Sequence, residues 1–143
     1  MWQIIILIIL LILSGFFSMS ETALMALSKI RIRHMVEDGV KGAKLVEKLT
    51  EDPNKLLGAI LIGNNRVNIL ASSLATTLFV SLVGPSGVGI ATAVMTVLVL
   101  IFGEITPKSI AKQKSEEVSL KVSKPINIIV NVLNPIEGIF KFI

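Results

Sequence analysis

The chain has 143 residues, of which 52% are hydrophobic and 17% charged, and its mean hydropathy of +0.80 predicts a membrane protein instead of a soluble core enclosed by a polar surface. It has no cysteine, which excludes disulfides, thiolate nucleophiles and thiolate zinc sites. Its net charge of +4 does not indicate nucleic-acid binding, because the six phenylalanines and one tryptophan lie in apolar runs and none alternates with the lysines.

The first predicted element is a transmembrane helix over about residues 3–27. It contains the run IIILIILLIL and continues through GFFSMSETALMAL, and about 20 residues suffice to cross the hydrocarbon of a bilayer. No basic residue precedes the run and no small-residue cleavage site follows it. The segment is therefore predicted to be a span and not a signal peptide.

One or two amphipathic helices at a membrane interface are predicted next, over about residues 28–52. Apolar residues recur there at helical spacing between basic ones: Ile32, Met35, Val36, Leu45, Val46 and Leu49. Asp52 and Pro53 are typical of the start of a further helix, the former as its cap and the latter in its first turn.

Two more spans are predicted, over about 55–81 and about 88–106, joined by the tight turn VGPSG. The third span ends at GEITPK, where lysines begin. Amphipathic belt helices are predicted over about 112–143, broken or bent near Pro125 and Pro135.

The basic residues predict the orientation. All of them except Arg66 lie in 28–55 or 108–141, and the turn between the second and third spans has none. The positive-inside rule places both basic segments in the cytoplasm and the amino terminus outside, in a multi-pass protein of the cell (plasma) membrane. Since three spans are too few to enclose a solute path, we expect self-association.

Three ionisable side chains fall clearly within the predicted spans: Glu21, Arg66 and Glu104. Each costs several kcal/mol to insert, so each needs a partner or a function. Arg66 is interpreted as structural or snorkelling, and Lys108, about one turn beyond Glu104, is expected to reach the cytoplasmic headgroups. A structural carboxylate paired with Lys108 or Arg66 is the alternative for Glu104.

Neutral polar side chains form stripes on the first two spans. One face of the first span carries Ser14, Ser18 and then Glu21 or Thr22. The second span has a polar side chain at every fourth position: Asn64, Asn68 and Ser72. With Glu104, three helices present oxygens at a similar depth, as a hard cation such as magnesium requires. Packing between helices explains many single polar residues in membranes, but an aligned set with a carboxylate favours an ion site.

The stretch FGEITPKS combines a glycine, an acid and a proline at the end of the third span. Gly103 before Glu104, with Pro107 after it, predicts a loosened helical turn whose backbone carbonyls are available to a ligand. The chain contains no GxSxG, HExxH, paired aspartates within the spans or phosphate loop, so it is not predicted to be an enzyme.

Three stretches, SGFFSMSETALMALS, LLGAILIGNNRVNILASSLAT and FGEITPKSIA, resemble the transmembrane domain of the CNNM/CorC family of magnesium transporters. The resemblance implies an all-α homodimer of three-span protomers in the lipid bilayer, with a cytoplasmic juxtamembrane belt. It implies magnesium (Mg2+) efflux, often described as linked to Na+. It also implies that ATP-binding CBS domains follow in the full-length protein, so this chain is expected to be the isolated membrane domain.

Matched by motif, the ion site implied by the resemblance comprises Ser18, Asn68, Ser72, the Gly103 carbonyl and Glu104. Ser14, Glu21, Asn64 and Lys108 are secondary candidates. Met19 and Arg66 depart from the pattern of the family, which usually has a glycine at the first position and an apolar residue at the second.

Alternating access around this site, with weak points at Gly15 and Gly103, is the mechanism that the sequence favours. Two alternatives stay open. One is a membrane-anchored scaffold that binds or controls another transporter, with polar residues that only pack the dimer. The other is a passive cation channel, which the sequence does not distinguish from an exchanger.

Overall fold

The computed structural model of the chain describes residues 2–142, with side chains for residues 2–132. The predicted all-α fold is confirmed, since the described residues contain helices and turns and no strand. In chain order the elements are α1 (Trp2–Ala26), α2 (Lys29–Glu37), α3 (Ala43–Thr50), α4 (Pro53–Val83), α5 (Gly87–Leu98), a π-helix (Val99–Ile105), α6 (Thr106–Gln113) and α7 (Ser115–Phe142).

Within the described residues, three helices are long and apolar enough to cross a membrane: Trp2–Ala26, Pro53–Val83 and Gly87–Gln113. The third includes α5, the π-helix and α6, and extends beyond the end predicted near residue 106. Pro107 does not end it, and lies directly after the π-helix as the second residue of α6, where the i→i−4 hydrogen-bond pattern is already interrupted. Helix α7 likewise continues through Pro125 and Pro135 without a break.

The chain divides into two compact units, and the first comprises Met1–Ser18 and Gly63–Pro107. Its core is small, and consists of Leu7, Ala71, Ala75, Ala91 and Met95. Alanines at these positions let helices approach closely, which is the usual way helices pack inside a bilayer. Large apolar side chains of the same unit are exposed, among them Ile5, Ile12 and Ile69, as suits a surface that contacts lipid.

The turn between α4 and α5 requires glycine. Gly84 has a φ of +82°, and a Cβ atom at Gly87 would lie 2.5 Å from the carbonyl carbon and oxygen of Phe79. Since these are backbone atoms, the clash is not relieved by a side-chain rotation. A Cβ atom at Gly89 would meet nothing within 4 Å.

Gly87→Ala is therefore expected to lower the free energy of unfolding by about 1–3 kcal/mol, the usual cost of overpacking. Gly89→Ala is the matched control and is expected to be neutral or to stabilise by up to about 1 kcal/mol, the difference in helix propensity between the two residues. Unfolding followed in detergent micelles measures both. Equal effects of the two substitutions would contradict the close approach at Gly87.

The second unit comprises Met19–Ile62 and Lys108–Ile143. Helix α3 contacts both α2 and α7. It buries Ala43, Val46 and Leu49 at three-residue steps, and α7 buries Val118, Val122, Ile126 and Val130 at four-residue steps. Each helix is thus amphipathic, with one apolar stripe facing the core of this unit. The burial of Val122 and Ile126 holds α7 in place on both sides of Pro125.

An exposed ion pair links α2 to the first turn of α7, where Arg31 donates a hydrogen bond to Glu116. This hydrogen bond lowers the pKa of the Glu116 carboxyl from its usual value. Because the unfolded chain then binds protons more readily, the contribution of the pair to stability is present at neutral pH and is lost as acid protonates Glu116. Such exposed pairs contribute little in water.

Candidate functional site

A hydrogen bond joins the polar stripes of α1 and α4 in the first unit. The Ser14 hydroxyl donates to Asn68 Oδ1 at 2.8 Å, and Asn64 Oδ1 is 3.4 Å from the same hydroxyl. A serine hydroxyl has one hydrogen, so the shorter contact with Asn68 is the effective one. Ser14, which the sequence ranks as a secondary candidate, is thus the residue of α1 that the structure brings to Asn68.

Two glycines bring the backbones of α1 and the π-helix together. A Cβ atom at Gly15 would lie 2.8 Å from the Phe102 carbonyl oxygen and 3.2 Å from Cγ of Pro107. A Cβ atom at Gly103 would lie 2.9 Å from Ser14 Oγ. The Ser14 hydroxyl therefore contacts Asn68 on one side and the Gly103 turn on another.

The π-helix over Val99–Ile105 contains both Gly103 and Glu104. The loosened turn predicted at Gly103 is present in this form. A π-helix bonds each N–H to the carbonyl five residues earlier, as Thr106 does to Ile101, so backbone groups at its ends lose their regular α-helical partners. Such segments are rare and occur frequently at functional sites.

Ser18 lies one turn beyond Ser14 on α1 and is 1% exposed. Among the described residues, its hydroxyl has no hydrogen-bond partner. A buried hydroxyl left without a partner costs about 1–3 kcal/mol, so a ligand or water bound at Ser18 would recover free energy. Ser119 in the second unit is the other buried hydroxyl of this kind within the described part of the chain.

The remaining predicted residues differ in their surroundings. Glu104, the residue after Gly103, is half-buried in the first unit, whereas Arg66 is exposed on α4. Glu21 and Lys108, both secondary candidates, belong to the second unit, and Glu21 is half-buried there. The structure thus assembles Ser14, Asn68 and Gly103 by direct contact, with Ser18 on the next turn of α1.

A cleft of about 270 Å³ opens between α4 and α5 in the first unit. We call it the hydroxyl cleft. Its polar lining residues are Asn68, Ser72, Thr76, Thr92 and Thr96. The sequence predicted the first two and missed the three threonines. The same spacing rule could have identified them. Thr76 continues the four-residue series of α4, and Thr92 and Thr96 are also four residues apart.

The chemistry of the combined set is that of hard oxygen ligands. Hydroxyls, an amide carbonyl, a backbone carbonyl and one carboxylate are present, whereas no group of three His, Cys, Asp or Glu side chains is clustered anywhere in the part of the chain that the structure describes. Soft transition metals prefer nitrogen and sulfur, and magnesium and calcium prefer oxygen. The residues present fit a hard cation with a single anionic ligand.

Ser14→Ala removes the hydroxyl that joins α1 to Asn68 and leaves a part-buried amide oxygen without its donor. We expect the free energy of unfolding to fall by about 1 kcal/mol, in the range of hydrogen bonds between membrane helices. Unfolding in detergent micelles measures it, and Ser73→Ala, at an exposed position of α4, is the control. If the two substitutions had the same effect, the Ser14 contact would carry no energy.

Comparison with known proteins gives a consistent result. Residues 5–143 match the family described as the cyclin M transmembrane N-terminal domain. The chain is 48% identical over 132 residues to a UPF0053 protein of Haemophilus influenzae, with 92% of this chain and 31% of the relative covered. It is 50% identical over 107 residues to the UPF0053 inner membrane protein YfjD of Escherichia coli, with 75% of this chain and 25% of the relative covered.

A more distant relative is named for its substrate. The polyamine export protein of Salmonella typhimurium is 29% identical over 151 residues, with 96% of this chain and 34% of the relative covered. The chain therefore spans only a quarter to a third of the length of these three relatives.

Proposed function

This chain belongs to the cyclin M transmembrane N-terminal domain family, and we propose that it is the ion-conducting membrane domain of a magnesium transporter. It is a multi-pass membrane protein, and the Escherichia coli relative is named as an inner membrane protein. Magnesium is the transported substrate in this proposal. The direction is efflux, and the protein forms a homodimer with its amino terminus outside.

The observation that carries the proposal is the buried Ser18 hydroxyl, which has no hydrogen-bond partner among the described residues and lies one turn from the Ser14–Asn68 hydrogen bond. The close approach of the Gly103 turn to Ser14 Oγ supports a site that combines these hydroxyl and amide oxygens with backbone oxygens of the π-helix. Magnesium loses its water reluctantly and requires near-octahedral oxygen coordination. In our proposal Ser18, Asn68, Ser72 and the Gly103 carbonyl supply neutral oxygens, and Glu104 supplies the negative charge.

Charge balance favours a single divalent ion at a time. Glu104 is the one anionic ligand that we assign, and a second divalent ion would add charge without a further anionic ligand in the membrane, which is costly. The π-helix gives the site a wall with irregular backbone hydrogen bonding, of the kind that occurs frequently at functional sites. In alternating access, the π-helix then moves relative to α1 at Gly15 and opens the site first to one side of the membrane and then to the other. The gradient of a second ion such as Na+ drives this movement.

A polycation is the second candidate substrate. The Salmonella typhimurium relative is named a polyamine export protein, and ammonium groups bind to the same neutral oxygens and carboxylate that a metal ion uses. The two substrates differ in length, because a polyamine spans several turns of helix whereas magnesium occupies a point. Competition between spermidine and magnesium for binding tests this candidate directly.

The test of the proposed function is a titration of the purified protein with magnesium by calorimetry, followed by flux measurements in proteoliposomes. We expect saturable magnesium binding and magnesium movement that depends on the protein. A protein that binds no divalent ion would support the scaffold alternative. Magnesium flux that does not respond to any counter-ion gradient would support the passive channel.

A further inference from the structure

A second cavity, of about 560 Å³, lies entirely within the second unit. Ala26, where the first span ends, and Gln113, where the third span ends, both line it. Because one further span lies between them in the chain, the first and third spans end at the same face of the membrane. The cavity is therefore placed where the hydrocarbon of the bilayer meets the lipid headgroups.

Charges of both signs surround this cavity. Its charged lining residues are Arg31, Lys114, Glu116 and Glu117, so their formal charges sum to zero. Arg31 donates to Glu116 through Nε, a bond that does not use the N–H groups of its two terminal nitrogens. A guanidinium presents such groups as a planar fork that matches a phosphate. Arg31 can therefore bind a phosphate group while it keeps its bond to Glu116.

Lys114 adds a second reason for an anion here. It directly precedes Ser115, the first residue of α7. The first amides of a helix have no partner within the helix, and they give this end a partial positive charge. A lysine side chain has no acceptor with which to cap those amides, and its own charge adds to theirs. A phosphate bound beside Lys114 would offset this charge.

A buried hydroxyl lies one turn beyond the cavity. Ser119 is 0% exposed, and its hydroxyl has no hydrogen-bond partner in the part of the chain that is described. It follows the cavity-lining Ser115 by four residues, so the two share a face of α7, and the Cα–Cβ bonds of a helix tilt towards its amino terminus. The Ser119 side chain is thus directed towards the cavity. Burial without a partner is unfavourable, so a ligand there, or water bound with it, would complete this hydroxyl.

From these observations we infer that the cavity binds the headgroup of a phospholipid that carries a phosphate and a primary ammonium group, for which phosphatidylethanolamine is the probe. Arg31 and Lys114 bind the phosphate, and Glu116 and Glu117 bind the ammonium group. The acyl chains pass Ala26 into the hydrocarbon. The ligand is a lipid and not a soluble phosphate compound, because the cavity lies at the ends of two spans.

The balance of charge selects this headgroup among the common ones. Phosphatidylglycerol has no cation for the two carboxylates. Phosphatidylcholine has a quaternary ammonium group with no N–H to donate to them. A bound headgroup would join the start of α2 to the start of α7, as the ion pair between Arg31 and Glu116 does. This inference does not depend on which ion the protein transports.

The test is lipid binding to the purified, delipidated protein, measured by native mass spectrometry with three phospholipids that have identical acyl chains. We expect phosphatidylethanolamine to bind at least about tenfold more tightly than phosphatidylglycerol or phosphatidylcholine. Arg31→Gln with Lys114→Gln is expected to remove this preference. Arg33→Gln with Lys112→Gln is the matched control, because it removes the same charge from exposed residues of α2 and α6 that are not among those lining the cavity.

Two single substitutions keep the test decisive if the double variant does not fold. Lys114→Gln retains the ion pair between Arg31 and Glu116, and is expected to weaken phosphatidylethanolamine binding about threefold or more. Ser119→Ala is expected to weaken it as well. Ser123→Ala is its control and is expected to have no effect, since the buried Ser123 hydroxyl already donates to the Leu120 carbonyl at 2.9 Å.

Equal affinity for the three lipids would overturn the inference, as would equal losses in the two double variants. Glycerophosphoethanolamine, which has the same headgroup without acyl chains, distinguishes a lipid from a soluble ligand. We expect it to bind far more weakly than the lipid. Binding as tight as that of the lipid would contradict a lipid site.

Discussion

Glu104→Gln is expected to lower magnesium affinity about thirtyfold or more and to abolish transport at physiological magnesium concentrations. The substitution retains the size and an oxygen of the side chain and removes only its charge. Two unit charges 4 Å apart are worth about 4 kcal/mol at an effective dielectric constant of about 20. Half of that energy, about 2 kcal/mol, already corresponds to about thirtyfold in affinity. Because magnesium carries two charges, its attraction to the carboxylate is larger than that of two unit charges.

Calorimetry with wild-type and variant protein measures the change, and proteoliposome flux confirms its consequence. Glu117→Gln is the matched control, because Glu117 is exposed in the second unit, where it is 3.8 Å from Lys121. Glu21→Gln, at a secondary candidate, is expected to have a smaller effect than Glu104→Gln. Unchanged magnesium affinity in the Glu104 variant would show that the carboxylate is structural, as the alternative reading of the sequence holds.

Gly15→Ala is expected to reduce transport at least about tenfold while the protein remains folded. The new methyl group would lie 2.8 Å from the Phe102 carbonyl oxygen, so α1 and the π-helix must separate by a few tenths of an ångström or more. Overpacking of this kind costs about 1–3 kcal/mol. Because Ser14 and the Gly103 turn are in contact at the next position, the separation also disturbs the proposed ligands.

Gly89→Ala serves as the control here as well, since it makes the same change in α5 where a methyl group meets open space. Flux is measured for both variants, and unfolding in detergent separates a loss of activity from a loss of structure. Normal flux in the Gly15 variant would contradict the requirement for close contact between α1 and the π-helix.

Much of the fold follows from patterns that a sequence displays directly. Long apolar runs predicted three membrane-spanning helices, and the part of the chain that the structure describes contains three helices of sufficient length and hydropathy. The apolar spacing in α3 and α7 predicted amphipathic helices, and Val46 and Val122 are buried as that spacing requires. The effect of proline was predicted less well. Pro107 and Pro125 lie within continuous helices, because their positions and neighbours compensate for one missing hydrogen bond each.

The site was predicted in part, for a physical reason. Spacing along a helix identifies which side chains share a face, and it grouped Ser14 with Ser18 and Asn64 with Asn68 and Ser72. The preference for Ser18, Asn68 and Ser72 as ligands came from the family resemblance. Spacing does not give the rotation or depth of one helix relative to another, and these decide which residue meets which. Ser14, not Ser18, donates the hydrogen bond to Asn68, and spacing along α1 alone does not distinguish the two serines. The assignment of ion ligands remains a prediction that the substitutions above test.

The π-helix also has a consequence for chain length. A π-helix accommodates one residue more than the α-helix it replaces, so everything after Ile105 is rotated by about 100° compared with an uninterrupted helix. Deletion of one residue between Val99 and Ile105 is expected to convert this stretch to a regular α-helix and to leave Pro107 facing Gly15, because one residue fewer offsets the rotation that the π-helix absorbs. Such a deletion would thus remove the loosened turn at Gly103 while it keeps the orientation of α6, whereas a deletion within α5 would turn Pro107 away from Gly15.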